Sequence, residues 1–137
     1  MIRYLEWKSL LVGALAFVAG HYLEAAGWGT WFRGGEHPPW FLNDGNRAVL
    51  FMMACMFVTT LITGVLWARG KHDAIVHGGN VTAGAVAAMI VLIFAAPGGP
   101  GNLFPIAIVI GGFMVLLSTA AASAIVAAIK RRSVNSL

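Results

Sequence analysis

Charged side chains are scarce in this sequence: only 10% of its 137 residues are Asp, Glu, Lys or Arg, while 59% are hydrophobic. A soluble globular domain ordinarily carries roughly 25% charge, so a water-facing surface is not what this chain is built to make. Cysteine occurs once, at Cys55, which rules out a disulfide within the chain and leaves a small packing residue. Regular alternation of polar and apolar residues is missing too, and without it the wall of a transmembrane β-barrel cannot form. The sequence also has no nucleotide-binding glycine loop and no recognised metal-ligand spacing, and no hydroxyl or thiol is expected to pair with a base at one depth.

What the chain has instead is long apolar runs, at about residues 9–26, 48–68, 78–96 and 103–129. The hydrocarbon core of a bilayer is about 30 Å thick and asks for roughly 20 apolar residues per helix. The second run, Ala48 to Ala68, and the fourth, Leu103 to Ile129, contain no charged residue. The first is interrupted by His21 and Glu24 near its end, and the third is short unless residues from Ala74 onward join it. Arg3 and Lys8 ahead of the first run and "AAG" at Ala25 to Gly27 behind it also fit a cleavable leader, but the run is read as a retained span. The expected fold is all-α: a polytopic membrane protein with four transmembrane helices in a single domain.

Lys and Arg resist translocation, so their distribution sets the orientation. Arg3, Lys8, Arg69, Lys71, Lys130, Arg131 and Arg132 fall on one side of such a four-span chain, and Arg33 and Arg47 on the other. Both termini are therefore expected in the cytoplasm, and the protein in the cell (inner) membrane as a multi-pass protein. The net charge of +4 is accounted for by this bias and by contact of "KRR" with anionic lipid. The lipid bilayer is the expected partner, together with other membrane subunits or further copies of the chain, and nucleic acid is not.

The outer loop, residues 27–47, contains "GWGTWFRGGEHPPW". Its Trp28, Trp31 and Trp40 suit the headgroup level, where an indole keeps one wet edge, and the loop is read as an interfacial lid. Pro38 and Pro39 forbid one continuous helix there. His21 and Glu24 stand three apart and share a helix face. With Arg33, His37 and Asp44 from the loop they form the candidate ligand or proton site, because ionisable groups inside a membrane are costly and usually have a partner. His21, Glu24, His37 and Asp44 have the chemistry of divalent-metal ligands but match no known spacing, so whether a metal binds stays open. No cofactor is implied. His21 lacks a second in-span histidine for haem, and His72, Asp73 and His77 in "RGKHDAIVHGGN" are read as a solvated turn.

Within the spans, Gly84 with Ala88, and Ser118 with Ser123, mark small-residue faces suited to close helix contact, and spans three and four are expected to pack tightly. Thr59 with Thr63, and Thr119 with Ser123, can bond across helices or back to their own carbonyls. These features favour a non-catalytic subunit or assembly partner of a larger membrane complex. The alternatives are a small oligomeric transporter or channel, or a redox, quinone-binding or metal-binding membrane protein with an outer-side site.

Overall fold

A computed structural model describes residues 6–27, 44–96, 98, 99, 101 and 104–136, without the side chains of residues 44–47 and 134. The described chain forms four helices: α1 (Trp7–Ala25), α2 (Asp44–Trp67), α3 (Lys71–Ala95) and α4 (Phe104–Asn135). Three segments, Ala48–Trp67, Lys71–Ala95 and Phe104–Ser133, are long and apolar enough to cross a membrane. Leu15, Leu66, Val91, Val109 and Phe113 are among the large apolar side chains left on the outside, as suits a surface whose solvent is lipid.

The helix ends follow from local chemistry. Gly27 takes φ 87° and its N–H bonds the Glu24 carbonyl at 2.9 Å, a left-handed stop that a side chain would resist. At the start of α3 the Asp73 carboxylate accepts the Arg69 N–H at 3.2 Å and complements the helix N-terminus. α3 ends where Ala96, which precedes Pro97, turns extended (φ −61°, ψ 142°), because proline disfavours helical backbone before it.

α3 begins at Lys71 rather than near residue 78, so "HDAIVHGGN" is helix and not the expected solvated turn. The turn-forming residue types are overruled by burial: Ala74, His77, Gly78 and Val81 lie on one covered stripe at helical spacing. α4 likewise continues to Asn135, beyond the expected 129, with Arg132 in a last turn where cations favour the helix dipole.

Cross-helix pairs fix the topology. Ser9 and Gly13 of α1 meet His77 and Val81 in that order, so α1 runs with α3; Gly20 meets Met52 and Cys55 while Leu11 shares a cleft with Leu66, so α1 runs against α2. Thr82 pairs with Thr119 and Gly111 meets Met89, so α4 runs against α3. Around this up-and-down bundle the neighbours are α1–α3, α3–α4, α4–α2 and α2–α1, while α2 and α3, though consecutive, touch little. Met56, Val81, Ala85 and Val115, packed by Val12, Ala16 and Phe17, make the central core, and Ala68, Ala74 and Val126 close one end.

The small-residue face of α3 serves two neighbours. A Cβ on Gly84 would lie 2.8 Å from the Leu10 carbonyl carbon, and one on Gly13 2.8 Å from that of Val81. Gly84 therefore faces α1 rather than α4. Gly78, one helical stripe away, is the glycine that α4 approaches, where a Cβ would overlap the Ser123 hydroxyl. α1 answers with small residues of its own, Ser9, Gly13 and Gly20, all buried.

Candidate functional site

Among the described residues, an enclosed polar cluster lies where α1, α2 and α3 meet. It is centred on His77, 2% exposed, with Ser9 fully buried against it. His77 stands on the buried stripe of α3 and reaches two other helices. Its Nδ1 is 2.7 Å from the Ser9 hydroxyl of α1, and its Nε2 is 2.8 Å from the Thr63 hydroxyl of α2. Ser9 Oγ donates in turn to the Glu6 carboxylate at 3.2 Å. Thr63 Oγ1 donates to the Thr59 carbonyl at 2.7 Å. Glu6 caps α1, its carbonyl accepting the Ser9 and Leu10 N–H groups at 2.9 and 3.1 Å. The Trp67 ring stands edge-on to the imidazole with centroids 5.9 Å apart.

The row therefore reads carboxylate, hydroxyl, imidazole, hydroxyl, carbonyl. It is not a hydrolytic triad, since the carboxylate bonds the hydroxyl and not the ring, and Ser9 is closed to any substrate. Such a row has the donors and acceptors to hold a proton or pass one on. It ends at an exposed carboxylate: Glu6, with Trp7, Leu11, Trp67, Arg69 and Asp73, borders an open cleft of about 970 Å³.

A second feature lies on the far side of α3. A groove of about 830 Å³ runs between α3 and α4, walled by Ile75, Gly79, Ala120, Ala124 and Ala128 and ending at Lys71, Arg131 and Arg132. The Ser123 hydroxyl on its floor is buried and, among the described residues, has no hydrogen-bond partner.

The site expected from sequence sits elsewhere. His21 is exposed and Glu24 half-buried, at the end of α1 away from Ser9 and about 18 Å along the axis from it. His21 makes an edge contact with Tyr22, centroids 5.6 Å apart. Trp28, Trp31, Arg33, His37 and Trp40 lie outside the described residues, as does the side chain of Asp44, which opens α2. Among the described residues no three His, Cys, Asp or Glu side chains gather closely enough to hold a metal. Of the packing residues, Ala88 is buried and Ser118 donates to the Met53 carbonyl of α2.

Sequence reading missed the His77 row because its members are 68 and 14 positions apart. One signal was available: extending the third run back through Ala74 puts His77 on the same face as Val81 and Gly84. Comparison with known proteins finds no matching family, no matching curated protein and no matching solved structure.

Proposed function

We propose that the protein is a small subunit of a larger assembly in the cell (inner) membrane, with α1 as a fourth span and both termini in the cytoplasm, and that the α3–α4 groove receives a transmembrane helix of its partner. The observation that carries this reading is the groove's wall and floor taken together. Ala120, Ala124 and Ala128 recur every four residues on the exposed face of α4, opposite Gly79. A face that meets only lipid has no need of small side chains, whereas a helix docking backbone to backbone does. Beneath them the Ser123 hydroxyl is buried and, among the described residues, has no partner, an unpaired polar group at the α3–α4 seam of the kind that is costly in an apolar medium. Lys71, Arg131 and Arg132 at the groove end suit the headgroups or acidic residues flanking such a helix.

The test is site-specific photo-crosslinking from position 75, where Ile75 lines the α3 side of the groove, in native membranes, repeated in Ala124→Phe. A single crosslinked membrane protein that is lost in Ala124→Phe, with the bundle's melting unchanged, is the expected result. A crosslink to a second copy of this chain would replace the hetero-subunit by a homo-oligomer. Crosslinks to lipid alone would overturn the docking role.

A further inference from the structure

With Glu6 as a carboxylate, the four bonds around His77 cannot all exist with a neutral ring. Each hydroxyl has one hydrogen to give. Ser9 gives its hydrogen to Glu6 and Thr63 gives its own to the Thr59 carbonyl. Both therefore face the imidazole with lone pairs, at 2.7 and 2.8 Å, and both ring nitrogens must donate. Only the imidazolium does so. A neutral ring leaves one nitrogen as an acceptor, and the hydroxyl opposite must swing its hydrogen away from its present acceptor.

We propose that His77 is a proton-binding site and that the arrangement described is its proton-loaded form with the Glu6 carboxylate as counter-ion. This is independent of the groove between α3 and α4, which His77 does not line.

The unloaded form follows from the same count. With the hydrogen kept on Nε2, the Thr63 and Thr59 bonds persist, and Ser9 turns its hydrogen onto Nδ1 and releases Glu6. Loading then runs from the cleft inward. A proton taken from water by the Glu6 carboxylate passes to Ser9 Oγ as the Ser9 hydrogen passes to Nδ1. The ring gains one positive charge and the carboxylate recovers its negative one, with no other bond altered. Glu6 is the entry because it is exposed on the cleft while Ser9 and His77 are not.

The other charged groups near the ring are otherwise placed. On the α1 side Lys8 is exposed. Between α2 and α3, Arg69 is exposed and its N–H is bonded by Asp73. On α3, His72 lies exposed. From α4, Lys130 bonds the Val65 carbonyl at 2.8 Å, beyond the Val126 side chain that packs beside Gly64.

The experiment is nitrogen NMR of histidine rings in the full chain in lipid nanodiscs, with the His77 signals identified by their loss in His77→Gln. In the wild type these signals should show both nitrogens protonated at low pH and one on raising it. Glu6→Gln, an exposed change that spares the packing, should weaken proton binding about tenfold, one pH unit, because the counter-ion is gone. Thr63→Val should weaken it as well by removing the α2 acceptor, while the His21 signals stay unmoved. A purely structural histidine would remain in one neutral tautomer from mildly acid to mildly alkaline pH, and that result overturns the proposal. So does a titration that is the same in wild type, Glu6→Gln and Thr63→Val.

Discussion

Gly13 and Gly84 form a reciprocal notch: each lies against the backbone of the other's helix, Gly13 on Val81 and Gly84 on Leu10. The notch sets the distance between α1 and α3, and thereby the reach of Ser9 to His77. In a bilayer, close contact of this kind and not solvent exclusion holds helices together.

Gly13→Ala and Gly84→Ala should each lower the melting temperature of the detergent-solubilised protein, at a cost of about 1–3 kcal/mol, because a backbone cannot yield to the new Cβ as a flexible side chain would. Gly79→Ala, where a Cβ meets nothing, is the control. The double variant should cost less than the sum, since one substitution already parts the helices. Full additivity by thermal circular dichroism would show that the two glycines do not share a contact.

Ser118→Ala should destabilise by roughly 0.6 kcal/mol, the usual worth of a hydrogen bond between membrane helices, since Ser118 donates to the Met53 carbonyl. Ser133→Ala, whose hydroxyl bonds a carbonyl of its own exposed helix end, should be neutral. Denaturation in mixed micelles reads both, and equal effects would mean that the α2–α4 bond contributes nothing.

His21 and His77 should behave oppositely. His77→Leu removes a ring bonded to two helices and leaves two hydroxyls short of a partner, so the bundle should lose about 1–3 kcal/mol. His21→Leu, at an exposed position, should stay within about 0.5 kcal/mol. Loss of partner crosslinking in His21→Leu or Glu24→Gln at wild-type stability would revive the outer-side site on α1.

A reporter fused after Leu137 should remain in the cytoplasm, because seven Lys and Arg lie on the side of both termini and two on the other. Export of the reporter would reverse the orientation and place the Glu6 cleft on the outer face.

The helices and their membrane character were legible in the chain itself. Apolar length is a local property, and Ala48 to Ala68 or Leu103 to Ile129 declare it without reference to any other segment. The stops at Gly27 and before Pro97 are equally local, since they rest on single-residue backbone preferences. What the sequence left open was which face meets which. A stripe of small residues on α3 says that something approaches closely, but only the packed bundle assigns Gly84 to α1 and Gly78 to α4. The same holds for the polar row. His77 in "KHDAIVHGGN" looks like a turn residue among turn residues, and His21 looked the better candidate because it lies within an apolar run with Glu24 three residues on. Burial of Ala74, His77 and Val81 on one stripe turned that stretch into helix. The α1 notch then brought Ser9 within 2.7 Å of the ring. Partners so far apart along the chain are chosen by the fit of surfaces, which no local pattern contains.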